Sequence, residues 1–206
     1  MKSIEINNDE LKQALDEIGE WFNTFDLENN IKIFGEEDTN EYYTEDDFLQ
    51  LQLNDLDHDG FGATISYGVD LNANNMISAE VKSHVTRIDE LLKPVLSAPH
   101  CPVKMYYPKN GFMHWHNNHN APGYNILLTY TKEGKGFFRY RDPQTKTTVT
   151  MHDSPGWTAK VGYYGSNEEP DKVYWHCARA YEPRLTLGYI IPHEEMWEMM
   201  CEDIQE

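Results

Sequence analysis

The stretch GFMHWHNNHN, residues 111–120, sets three histidines and three asparagines within seven consecutive positions of a chain that has nine histidines in all. Neutral imidazole nitrogens suit zinc, copper, iron and nickel, and an amide oxygen can complete such a shell. If FMHWHNN runs as a strand, successive side chains alternate, which puts His114, His116 and Asn118 on one face and Trp115 and Asn117 on the other. A metal facing one strand meets two of them, so a mononuclear site needs a further ligand from elsewhere. His176, in YWHCARAYEPRLTLGYI, is the best candidate, sixty residues past His116. Eight residues beyond it stands Arg184, opening a strand with Leu185, Leu187 and Tyr189.

The elements that must position these residues fall into two textures. After Pro99 the chain is rich in tyrosine, tryptophan and β-branched residues, in runs broken by turn residues: VKMYYPKNG, YNILLTYT, GKGFFRYRD, KTTVTMHD, TAKVGYY and RLTLGYIIP. Short strands at this spacing are the signature of an all-β sandwich, jelly roll or barrel. Before Pro99, NNDELKQALDEIGEWF spaces Leu11, Leu15, Ile18 and Phe22 as one amphipathic helix behind an Asn/Asp cap. SHVTRIDELLKPVL predicts a second, with Ser83 as N-cap, Val85, Ile88, Leu91 and Leu92 as its apolar face and Pro94 near its end. Between them, Ile31 to Tyr67 is acidic and aperiodic and reads as short strands joined by a loop. The tail HEEMWEMMCEDI is helical in texture. Residues 1–98 therefore read as a helical and strand support region and 99–206 as a β core with a C-terminal helix, in one compact domain.

Composition excludes several functions. A net charge of −18 at pI 4.8 disfavours free nucleic acid and anionic membrane, since phosphate contacts need clustered Lys and Arg. The one basic concentration, KEGKGFFRYR, with Lys132, Lys135, Arg139 and Arg141, reads as a solvated hairpin. No apolar run can span a bilayer, and MKSIEINNDELK lacks a signal peptide's apolar core, which predicts a soluble, cytoplasmic protein. Three cysteines without CxxC spacing, Cys101, Cys177 and Cys201, suit a reducing compartment and argue against thiolate-held zinc. DLDHDG, residues 55–60, opens like a calcium loop with Asp55, Asp57, Asp59 and Gly60, but its twelfth position is Ser66 rather than Glu, so an acidic turn is expected.

A histidine-bearing strand, a strand-rich interval, a distal His and then an Arg is the layout of the iron(II)/2-oxoglutarate-dependent oxygenases, which this chain resembles over about residues 103–191. YYPKNGFMHWHNN is similar to the lead-in and first metal strand of prolyl-hydroxylase-like members, GFFRYRDPQTKTT to their strand, Asp-Pro turn and strand, and DSPGWTAKVGYY to the segment that crosses to the distal strand. The resemblance implies a mainly β fold with supporting helices, the double-stranded β-helix (a cupin-like jelly roll). It also implies Fe(II) and 2-oxoglutarate as cofactors and His116, Asn118 and His176 as metal ligands. Arg184 would anchor the far carboxylate of 2-oxoglutarate through a bidentate guanidinium contact, with Tyr106 or Tyr107 donating a further hydrogen bond. Oxidative decarboxylation would then yield succinate and CO2 with oxidation of a substrate C–H. The compact acidic form, with its WHNN and WHCA motifs, also resembles oxygenase-like proteins of tailed phages, which implies the cytoplasm of an infected bacterium.

The chain departs from that pattern where a carboxylate is expected: two residues after His116 stands Asn118, and two after His114 stands His116. Three ligand sets stay open. His116, Asn118 and His176 keep the family register with an amide for the carboxylate. His114, His116 and His176 would make a three-histidine dioxygenase of the cupin type. A third position left to water matches the family's halogenases, and decay of the metal site would leave a non-catalytic binding module on the same fold. His114 and His119 also have an ordinary reading as hydrogen-bonded strand or loop residues. Trp115, Trp157 and Trp175 read as core, and His152 and Asp153 as a turn. The substrate class left by the charge is a protein or peptide side chain or a small molecule.

Overall fold

The structure is a computed structural model that describes residues 1–55, 63–118, 121–166 and 168–206. Most of the calcium-loop pattern, Asp57, Asp59 and Gly60 included, and His119 lie outside the described residues.

Eight strands make the core: β4 (His100–Tyr107), β5 (Phe112–His116), β6 (Gly123–Thr131), β7 (Gly136–Arg141), β8 (Thr148–His152), β9 (Gly156–Tyr164), β10 (Trp175–Ala180) and β11 (Arg184–Ile191). Three short strands precede them: β1 (Lys2–Ile4), β2 (Ser66–Tyr67) and β3 (Val69–Asp70). One sheet runs β1-β9-β6-β11-β4-β3 and the other β2-β5-β10-β7-β8, with antiparallel pairing throughout. Successive core strands alternate between the sheets, except that β7 and β8 form a hairpin. This strand order makes the fold a double-stranded β-helix, or jelly roll.

Strand alternation decides what each sheet shows to each side. On β11 and β6, Leu185, Leu187, Tyr189, Ile126 and Leu128 turn outward, where all five are fully buried in the main hydrophobic cluster. That cluster is completed by α1 (Asp9–Thr24), α3 (Ala79–Val95) and α4 (Glu194–Gln205). α1 starts where the Asn8 side chain accepts the Leu11 amide at 2.9 Å, with Asp9 and Glu10 in its first turn, and buries Leu11, Leu15 and Ile18 as their spacing predicts. The Trp157 indole donates to the Leu15 carbonyl at 2.8 Å and fixes α1 on the sheet.

The residues of the other parity, Asn125, Thr129, Thr131, Lys160, Arg184 and Thr186, point between the sheets and are buried as well. Buried polar side chains on a strand face need partners, so the inside of this sandwich is built for something other than packing.

Three sequence expectations change here. α3 starts five residues earlier than expected: its cap is Ser78, whose hydroxyl accepts the Val81 amide at 3.2 Å, and Ser83 lies inside the helix. Both serines precede apolar periodicity, and only the buried Val81 distinguishes them. Within the acidic segment, Asp46–Asn54 forms a helix, α2, and among the described residues only β2 and two isolated bridges, Ile31↔Ile77 and Phe34↔Gly68, are extended. About two and a half turns are too few to display a period, but Phe48 and Leu49 bury against Trp115, Phe137, Trp175 and Cys177 on the outer face of the second sheet. The basic stretch is not all solvated, because Arg139 crosses to α2's lead-in and donates to the Thr44 carbonyl at 2.7 Å.

Candidate functional site

β5 and β10 lie side by side with His116 directly opposite His176. The register then slips: Ala178 faces Met113, so three steps on β5 match two on β10. This β-bulge adds one residue between Met113 and His116 and breaks the simple alternation. Met113 and His116 consequently line one cavity, while the residues between them turn to the outside. His114 lies edge-on to Phe48 of α2 and its Nε2 accepts the Thr64 amide at 3.0 Å; the Trp115 indole donates to the Glu45 carbonyl at 3.0 Å. The expectation that His114 and His116 share a face is therefore overturned, and the three-histidine arrangement is not assembled.

The His116 and His176 rings stand 4.2 Å apart between centroids, both buried. Each ring has the same local anchor: His116 Nδ1 is 2.7 Å from the His114 carbonyl and His176 Nδ1 is 3.0 Å from the Tyr174 carbonyl. A carbonyl only accepts, so Nδ1 carries the proton in both rings and Nε2 keeps its lone pair. A backbone carbonyl on the second nitrogen is the usual orienting partner of a metal-binding histidine. Burial holds the His116 pKa down to about 4 and that of His176 well below its ordinary value, so both are neutral at pH 7.

Asn118, two residues past the end of β5, lines the same cavity. Two imidazole nitrogens and an amide oxygen are donor types that suit a divalent cation; among the described residues no cluster of three or more His, Cys, Asp or Glu side chains is assembled. An unfolded His takes its proton near 6.5 and folded His116 near 4. The metal-free protein is therefore expected to keep its full stability above pH 6.5 and to lose it on acidification towards pH 4, by about 1 kcal/mol per pH unit from this residue. Urea unfolding between pH 7 and pH 4 measures this.

The cavity is narrow, about 90 Å³, and is walled by Val103, Met113, Leu127, Phe138 and Tyr164. Arg184 reaches it from β11, with its guanidinium over the Tyr107 ring at 5.5 Å. Of the two tyrosines expected here only Tyr107 faces the cavity. Tyr106 has the opposite parity on β4 and donates its hydroxyl to Glu28 at 2.7 Å on the helix-covered side. Adjacent residues of a strand cannot both face inward, and the sequence does not say which one does.

Sequence reasoning missed Asp153. It is no surface turn: its carboxylate is buried and takes Arg184 Nε at 2.8 Å and Nη2 at 3.4 Å, while Lys160 Nζ approaches at 3.2 Å. Thr186 accepts from Arg184 Nη1 at 2.8 Å, and Thr158 from Lys160 at 3.2 Å. Burial would raise the Asp153 pKa, but the two adjoining cations outweigh it and hold the carboxyl below its ordinary value. The three contacts of Arg184 use three of its five N–H groups and leave one on each terminal nitrogen.

Gly136 makes room for this carboxylate. A Cβ there would stand 2.7 Å from Asp153 Oδ2 and 2.7 Å from the Arg179 carbonyl, so Gly136→Ala is expected to destabilise by about 1–3 kcal/mol, measured by urea unfolding. No sequence signal marked Asp153, because it lies just before β9 whereas Arg184 opens β11, with β6 standing between those two strands in the sheet.

No protein-family profile and no curated protein sequence matches the chain. Among solved structures it is similar to a prolyl hydroxylase in complex with a hypoxia inducible factor oxygen degradation domain peptide fragment, from Trichoplax adhaerens. The likeness has 10% identity and a TM-score of 0.41, over 92% of this chain and 94% of that one. It is too distant to bear on function, and the jelly-roll assignment rests on the strand order itself.

Proposed function

We propose that this chain is an iron(II)- and 2-oxoglutarate-dependent oxygenase, a hydroxylase of a protein side chain or a small metabolite. The observation that carries this reading is the buried cross-strand pair His116 and His176, each ring held in the Nε2 lone-pair form, in one cavity with Arg184. His116, His176 and Asn118 would hold the metal. Three protein donors would leave room on the ion for a chelating cosubstrate and O2 together. Iron(II) with 2-oxoglutarate would supply oxidation of a substrate C–H coupled to release of CO2 and succinate. Arg184 would hold the far carboxylate through its two remaining N–H groups, with Tyr107 packed under the guanidinium. The apolar walls would exclude water, and Met113, unbranched and adaptable, is the wall best able to yield to a five-carbon ligand.

Residues 1–98 would act as support for 99–206, with α1 and α3 backing the first sheet and α2 the second. No helix among the described residues is long and apolar enough to cross a membrane. A cytoplasmic setting is consistent with three free cysteines, all buried, and the acidic surface disfavours free nucleic acid as substrate.

A non-catalytic binding module on the same fold is the second reading. It is favoured by the amide at position 118 and by the carboxylate of Asp153, which already occupies one edge of Arg184. Anaerobic titration of metal-free protein with Fe(II) and then 2-oxoglutarate separates the two. The oxygenase gives the visible iron-to-keto-acid charge-transfer band, weakened in Arg184→Ala. Folded protein that gives no band at saturating concentrations makes the binding module the better description.

A further inference from the structure

Between the sheets, next to the cavity, three ionisable side chains are buried together: Arg184, Asp153 and Lys160, with side-chain exposures of 1%, 1% and 2%. Glu182, the nearest acid in sequence, is turned away, with its carboxylate accepting the Glu133 and Lys135 amides. Arg184 and Asp153 alone would be a neutral pair, and a neutral pair offers a carboxylate ligand no net attraction in a buried site. Lys160 changes that sum: two cations and one anion leave one positive charge.

We propose that Lys160 is a specificity-determining residue. It neutralises Asp153, frees the charge of Arg184 for a ligand, and so makes this end of the cavity a subsite for one carboxylate. Asp153 is the positioning residue of the set, gripping Arg184 along its Nε edge so that the N–H groups left over stay on the terminal nitrogens. Lys160 does not line the cavity; it acts through Asp153, which it meets at 3.2 Å.

The inference rests on the oxygenase reading for the identity of the ligand, and the test keeps the two apart. Affinities of 2-oxoglutarate and of 2-oxopentanoate, a keto acid of the same length without the far carboxylate, are measured anaerobically on Co(II)-loaded protein by calorimetry. Their ratio isolates the far carboxylate from chelation at the metal. Wild type is expected to prefer 2-oxoglutarate by at least about tenfold, the scale of one charge-assisted contact. Lys160→Met should bring the two affinities together with 2-oxopentanoate unchanged, and Lys160→Arg should keep the preference.

The double variant Asp153→Asn with Lys160→Met returns the set to one positive charge and should restore the preference, which a purely structural role for Lys160 would not do. A Lys160→Met protein that still prefers 2-oxoglutarate as wild type does overturns the inference. So does a wild type that binds both keto acids equally, although the metal site then stands. If neither keto acid binds wild type, the inference and the cosubstrate reading fall together.

Discussion

His176→Ala is expected to abolish the charge-transfer band and to lower Fe(II) or Co(II) affinity by more than about 100-fold, because loss of even an orienting partner of a metal ligand costs about 10–100-fold. The shell here has little to spare. With His176 gone, one imidazole and one amide oxygen remain, both neutral, and no carboxylate stands by among the described residues to make up the loss. The variant should still fold, since His176 is neutral in the folded state and its removal strands no buried charge. His116→Ala should behave in the same way. His114→Ala should leave the metal titration unchanged, because that ring serves the Thr64 amide on the outer side of β5. Equal losses in all three variants would mean that the histidine cluster is structural; retention of the band in His176→Ala would remove the metal reading altogether.

The contrast between His114 and His116 marks how far the sequence could be read. The strands after Pro99 were legible because their outward positions, such as Leu185, Leu187 and Tyr189, are apolar at period two and the runs between turns have strand length. His176 and Arg184 were legible through their order and separation. The bulge between Met113 and His116 was not. A bulge arises from a mismatch in length between two strands some sixty residues apart, and nothing within FMHWH records it.

Asp153 was hidden for a related reason. SerPro and Gly follow it, which is turn chemistry, and its burial comes from Lys160 and Arg184 on two other strands. The choice between Tyr106 and Tyr107 depends on strand phase alone, and α2 on a docking face supplied by the second sheet. Local pattern gave the elements, whereas the side chains that could do chemistry are set by register between elements.

Asp153→Ala is expected to cost about 3–5 kcal/mol of stability at pH 7, because it leaves two cations in a buried space without their carboxylate. Against a total of about 5–15 kcal/mol that is a large fraction, and for a domain of this size the melting temperature should fall by roughly 10 °C. Asp153→Asn keeps an acceptor for Arg184 and should lose less.

The pH dependence tests the cause. Asp153 is held below its ordinary pKa in the folded protein, so its contribution is fully present above the unfolded value near 3.9 and disappears as pH falls through the folded one. The gap between wild type and Asp153→Ala, measured by urea unfolding, should therefore be wide at pH 7, begin to narrow only as pH falls below about 3.9, and close once pH has passed through the lower folded value and the wild-type carboxylate has taken its proton. A gap that stays constant over that range would assign the loss to a packing defect rather than to charge. The same measurement on Lys160→Met should give a much smaller loss, since Arg184 and Asp153 still satisfy each other there, and the two variants together would show that the buried set is held by its one anion.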